Sequence, residues 1–391
     1  MNPDDPIDLP PSLQARLAGG DLLGTYWPTV IALALALLVL GWMGWRRHRV
    51  PRGGRRRALM TSALWLGTTA LLLVGVVLGV NTWVGYIPSV QAAQRWWQTG
   101  SDQPGQVAPD PVAQLSGGGG TGGGAGRVTS AEHGYAYQVT IPSTSDKVPD
   151  SAAWVYLPPD YDRRGQDARY PVVYALHGAP GTAADWFSGG MIDRALDELI
   201  TSGYLPPVIV VSPDLNAGGG PVDSEPLDLP GGPQLERFVR EDVVAWADAN
   251  LRTRTDAGDR VIAGMSAGGL GALVAGLHHP EVFGGVISLL PYDDPYTASI
   301  VADPTALAAD TPTSILAGQQ GTATQPVFLG LGDSERPAAA RAIERALRAS
   351  GRPATLRVYA GQQHNWVAAR TMMPYGLVWI GTQLGWSSSA G

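Results

Sequence analysis

Apolar positions fall into two regimes along this chain. From Trp27 to Trp45, and again from Ala58 to Val80, they are nearly continuous. As a helix the first stretch is about 28 Å long, enough to cross a bilayer core. Beyond residue 128 they form short runs at 135–142, 153–157, 171–176, 207–212, 260–265, 282–289, 326–331 and 355–359, parted by polar segments rich in Gly and Pro. After the first three, these strand-like runs alternate with helical stretches at about 191–203, 233–251, 267–279, 337–350 and 370–384. Pro337 and Gly351 bracket one of these as start and stop signals. The alternation predicts an α/β fold, a mostly parallel sheet with helices on both faces, led by an antiparallel strand pair.

Charge sets the expected topology of the first part. Arg46, Arg47, Arg49, Arg52, Arg55, Arg56 and Arg57 crowd the gap between the two apolar stretches, whereas Asp4, Asp5, Asp8 and Asp21 face only Arg16 before them. Basic loops stay cytoplasmic. The chain therefore predicts an external tail at 1–26, transmembrane helices at 27–45 and 58–84, and a cytoplasmic loop at 46–57. An interfacial segment and linker follow at 85–127, then an extracytoplasmic domain at 128–391. Trp27, Trp42, Trp45, Trp83 and Tyr86 sit at span ends, where amphipathic rings favour the interface. A cleavable signal peptide needs its positive charge ahead of the apolar run, and here the charge follows it. Gln91 to Gln98, with Trp96-Trp97, reads as a short interfacial helix, and Gly117 to Gly124 as a flexible tether.

Composition narrows the chemistry. With no cysteine, the chain has no disulfide, no thiolate nucleophile and no Cys-ligated metal. From residue 127 onward 28 acidic side chains outnumber 18 basic ones, which argues against nucleic acid as a partner of this domain. The arginine loop, flanked by two spans, reads instead as a contact for anionic lipid headgroups.

Gly264-Met265-Ser266-Ala267-Gly268 follows the apolar run Val261-Ile262-Ala263 and opens a helical run of small residues. Strand, sharp turn and helix with a serine at the apex make a nucleophile elbow, which lifts the hydroxyl clear of the sheet beside the Ala267 amide. In such folds the acid and then the histidine follow the serine in chain order. Of the later histidines, His278 and His279 lie at the far end of the elbow helix and read as a pair interacting with its dipole. His364, in the loop after the last strand, is left as general base. The loop after 326–331 offers Asp333 as the acid and Glu335 as the reserve. Asp333 would accept the His364 Nδ1–H and fix its tautomer. His177-Gly178-Ala179-Pro180-Gly181 follows the 171–176 strand; Pro180 lacks an N–H, so Ala179 is the expected second oxyanion donor, with His177 propping the loop. Gly178, Trp186, Met265 and Trp366 are expected to border the substrate. Segments 213–232 and 292–325 should cover the site and line its acyl and acceptor grooves. Asp223, Glu225 and Asp228 are spaced as calcium ligands could be, but a solvated loop, or hydrogen bonds to a sugar substrate, is the expectation. No cofactor and no metal are expected.

Together Val155-Tyr156-Leu157-Pro158-Pro159, Leu176 to Gly181 with Asp185-Trp186, Gly264 to Gly269, His279-Pro280 with Phe283, and Gly361 to His364 with Trp366 resemble the putative-esterase family of α/β-hydrolases. That family includes esterase D, feruloyl esterases and mycolyltransferases. Ala267 stands where it often has methionine, and Gln362-Gln363 where it is glycine-rich. The resemblance implies a serine esterase acting through an acyl-enzyme on an acyl ester, possible partners being a lipid or glycolipid. The alternatives are an acyltransferase passing the acyl chain to a sugar or lipid hydroxyl, and an inactive hydrolase fold kept as an envelope scaffold.

Overall fold

The computed structural model describes residues 7–18, 22–49, 55–87, 90, 93, 129–217, 225–319, 324–335 and 337–386. The expected interfacial Trp96-Trp97, the tether, Asp223 and the centre of the arginine loop lie outside them. Contacts divide the chain into two units, residues 19–98 and the remainder.

Helix α1 (Pro11–Ala18) belongs to the larger unit. The smaller unit is a helical pair, α2 (Trp27–Arg49) and α3 (Arg55–Val84). Within them Trp27–Arg46 and Leu59–Val84 are long and apolar enough to cross a membrane. Only 11% of each such window is buried, unlike the core helix of a soluble domain. The pair packs through small residues. A Cβ on Gly75 would lie 3.0 Å from Leu33, and one on Gly79 3.5 Å from Thr29. Four residues apart, the two glycines form a small-residue seam that lets two antiparallel backbones approach. The outward faces carry exposed Val30, Leu37, Leu38, Leu66, Leu73 and Val77.

The larger unit holds one eight-stranded sheet in the order β1-β2-β4-β3-β5-β6-β7-β8. Its strands are β1 (Tyr135–Ile141), β2 (Ser151–Leu157), β3 (Val172–Leu176), β4 (Ile209–Pro213), β5 (Arg260–Met265), β6 (Gly285–Leu289), β7 (Val327–Gly332) and β8 (Ala354–Tyr359). β2 runs antiparallel to both β1 and β4, and every other pairing is parallel. The continuous apolar runs of β3 to β7 are buried along their whole length, as parallel strands covered on both faces must be. β1 instead alternates buried Tyr137, Val139 and Ile141 with more accessible residues, the signature of an edge. The longer helices are α4 (Ile192–Thr201), α5 spanning 235–250 with a π-helical middle at Phe238–Val243, α6 (Ala267–His278), α7 (Pro337–Ala349) and α8 (Trp366–Gln383). This is the predicted α/β-hydrolase architecture.

Two features add to the sequence reading. Within residues 7–18, Leu9 and Leu13 are buried, Arg16 pairs with Glu198 of α4 at 2.7 Å, and Arg357 of β8 donates to the Ile7 carbonyl at 2.6 Å. Leu9, just ahead of α1, and Leu13, within it, are both withdrawn from water, and that burial favours docking of the segment. The aperiodic 292–325 stretch contains three short helices, Ala298–Val301, Pro304–Asp310 and Pro312–Ala317. Ile300 joins Leu227, Leu270 and Val274 in a cluster that ties this cover to α6.

Candidate active site

The chain crosses from β4, on one side of β3, to β5 on its other side, so the crevice beyond the strand ends opens there. Leu176 pairs with Gly264. The loop leaving β3 therefore starts beside the turn leaving β5. Ser266, the residue after β5 and before α6, has φ 58° and ψ −121°. Glycine-flanked geometry permits this strained apex: a Cβ on Gly264 would collide with the Gly268 carbonyl, and one on Gly268 with the Leu176 and His177 carbonyls. The Ser266 amide donates to Leu289 O at 2.9 Å, which fixes the turn to β6.

His364 comes from the loop between β8 and α8. Its Nε2 lies 2.7 Å from Ser266 Oγ, and its Nδ1 lies 3.2 Å from Glu335 Oε1. The carboxylate can only accept, so Nδ1 carries the proton and Nε2 faces the hydroxyl with its lone pair. Serine and histidine are thus brought together as predicted, although 98 residues apart.

The acid needs correction. Asp333 does not face His364. Its Oδ1 accepts the Gly361 N–H at 2.9 Å, and its own N–H donates to Tyr359 O at 3.0 Å. Coming first after β7, its short side chain meets the turn of the neighbouring β8 loop, where Gly361 has φ +72°. Ser334 adds a third tie, donating to Gln362 O at 2.8 Å. Glu335, two residues on and one methylene longer, reaches the imidazole instead.

Gly178 and Met265 lie beside the serine: a Cβ on Gly178 would sit 3.3 Å from Met265 O and 3.4 Å from Ser266 Cβ. Ala267 is buried at the start of α6, and Ala179 is half-buried in the adjoining loop. His177 props that loop as expected, donating from Nδ1 to Gly178 O at 2.8 Å and accepting the Leu215 N–H on Nε2 at 3.0 Å. Trp186 and Trp366 are not walls of a groove. Trp186 is fully buried and donates to Leu176 O at 2.9 Å; Trp366, also buried, packs edge-on against it with ring centroids 5.1 Å apart. They brace the β3 end against the start of α8, because indole burial contributes most where its N–H also finds an acceptor.

Of the residues weighed as a calcium loop, the two described ones, Glu225 and Asp228, have protein partners. Glu225 is fully buried and accepts from Tyr292 OH, Tyr296 N, Thr297 N and Thr297 Oγ1. Burial, reinforced by that carboxylate, pushes the Tyr292 phenol far above its ordinary value. Asp228 Oδ1 accepts the Arg237 N–H at 3.0 Å. Glu225 was not expected to be a buried anchor of the cover, since nothing in its Pro- and Gly-rich surroundings predicts burial.

A serine elbow at the carboxyl edge of a mixed sheet with helices on both faces defines an α/β-hydrolase. Residues 150–372 match the Esterase family, described as "Putative esterase", and the chain belongs to that family. Over 248 residues it is 29% identical to an endo-1,4-beta-xylanase/feruloyl esterase of Xylanibacter ruminicola, covering 61% of this chain but only 30% of that protein's length. The solved structure of a ferulic acid esterase superposes with a TM-score of 0.55 at 23% identity, covering 64% of this chain and 99% of that one. An S-formylglutathione hydrolase from Agrobacterium tumefaciens gives 0.54 at 24%, covering 66% and 98%. At such identities the likeness establishes the fold.

Proposed function

We propose that this chain is a membrane-anchored esterase that hydrolyses acyl esters through Ser266, His364 and Glu335. The observation that carries the reading is the 2.7 Å contact between His364 Nε2 and the Oγ of a serine held at positive φ. Ser266 Oγ attacks the acyl carbonyl carbon while His364 Nε2 takes its proton. The oxyanion faces the amides of Ala267 and Ala179, aided by the positive end of α6. As the tetrahedral adduct collapses, His364 returns the proton to the departing alkoxide. Water then attacks the acyl-enzyme with His364 again acting as base; as the second adduct collapses, His364 returns that proton to Ser266 Oγ and the acid leaves. Glu335 holds the ring and offsets its transient charge. Hydrolysis is favoured over transfer because the His364 side chain is 42% exposed, within reach of water. Relatives named feruloyl esterases make aryl-acyl esters the first substrates to assay.

A fluorophosphonate probe tests the nucleophile. The purified full chain should label stoichiometrically and Ser266→Ala not at all; a folded wild-type chain that stays unlabelled would overturn the reading.

The exposed apolar faces of α2 and α3 support insertion in a bilayer. The arginines between them support an intracellular loop, with the catalytic unit outside. Docking of residues 7–18 on that unit accords with an even number of crossings between them. Because the chain has no cysteine, single Cys variants report orientation. In intact cells a membrane-impermeant maleimide should label Asp4→Cys and Ser130→Cys and spare Arg52→Cys. The reverse pattern would invert the topology.

A further inference from the structure

At the far end of α6 three side chains from two helices converge. His278 Nδ1 lies 2.9 Å and His279 Nε2 3.1 Å from the same oxygen, Glu236 Oε1, on α5. The outer nitrogens are also engaged: His278 Nε2 lies 3.1 Å from Ala309 O, and His279 Nδ1 lies 3.2 Å from Glu281 Oε1. Every ring nitrogen therefore faces an acceptor. Satisfying all four contacts with protons alone needs a proton on each nitrogen, hence two positive charges around one buried carboxylate. A divalent ion supplies the same charge at a single point. The outer contacts then fix each ring's tautomer and leave both inner nitrogens as lone-pair donors, which is how histidine ligands of metals are held.

We propose that Glu236, His278 and His279 bind a divalent transition-metal ion of the zinc type. Their donor atoms all lie within 4.8 Å of one another. Tetrahedral ligands about 2.0–2.1 Å from zinc stand roughly 3.3 Å apart, close to the two spacings present. Two imidazoles and one carboxylate select zinc-like ions over calcium or magnesium, which take oxygen donors. Glu236 is 6% exposed and the imidazoles 27% and 24%, so an ion can enter from solvent and leave a fourth position for water. The carbonyl end of α6 adds favourable potential for a cation. Twelve residues of helix, roughly 18 Å, separate this cluster from Ser266. The ion would therefore take no part in ester chemistry; it would fasten the nucleophile-bearing helix to α5.

The test uses the full chain in detergent, stripped by chelator and titrated with Zn²⁺ or Mg²⁺. Expected are one equivalent of zinc by elemental analysis and a rise in thermal midpoint of about 5–10 °C at a hundredfold excess over Kd, with none for magnesium. Glu236→Gln and His279→Gln should each weaken zinc binding at least tenfold. If Glu236→Gln fails to fold, His279→Gln, nearer the surface, decides alone. A zinc response absent from the wild type, or undiminished in His279→Gln, overturns the proposal.

Discussion

Ser266→Ala should reduce ester hydrolysis by about 10⁵- to 10⁶-fold in kcat while thermal stability stays near that of the wild type. Its hydroxyl is the nucleophile of the proposed mechanism; alanine leaves the proposed oxyanion donors, and so a small residual rate, in place. The backbone at this position is strained for any non-glycine residue, with φ at 58°, so alanine neither relieves nor adds strain. Removing the hydroxyl also frees His364 Nε2 of its 2.7 Å partner without unpairing a buried group, since the imidazole is open to water. Steady-state kinetics beside a melting curve check both halves. Activity within tenfold of wild type would remove serine catalysis from consideration.

Glu335→Gln should lower kcat by about 10²- to 10⁴-fold, whereas Asp333→Asn should stay within about tenfold. An amide at position 335 can donate to Nδ1 and so favour the tautomer that blocks Nε2, the error that costs about 10⁴ in a well-studied triad. The lower bound reflects a carboxylate that is 28% exposed and 3.2 Å from the ring, so water can substitute in part. At position 333 the asparagine oxygen still accepts the Gly361 N–H, and the loop keeps its shape. Parallel kcat measurements on the two variants decide the assignment. A larger loss in Asp333→Asn would restore it as the acid.

The sheet was legible because its central strands are unbroken apolar runs bounded by glycine and proline, and each expected run corresponds to a strand, with ends shifted by up to three residues. Ser266 and His364 were legible for a different reason: elbow chemistry needs small neighbours, and few histidines follow it. The carboxylate beside His364 was not legible. Asp333 and Glu335 are two residues apart, and the choice turned on which carboxylate the Gly361 amide would capture, a contact between loops that local pattern does not encode. Trp186 and Trp366 stood out as motif residues, but only packing shows that they brace the site from behind. The glycine pair at 75 and 79 was readable as a helix-packing seam, yet it was masked by the stronger signal of overall hydropathy.

Starting the chain near residue 128, to remove the two apolar helices, would discard Leu9 and Leu13 along with them. At about 1.5–3 kcal/mol for each fully buried leucine, that cut sacrifices much of a typical domain's margin. It also bares a greasy scar on the α4 side and strips Arg357 of its carbonyl partner. A water-soluble version would fare better with residues 7–18 grafted back ahead of the catalytic unit through a flexible spacer.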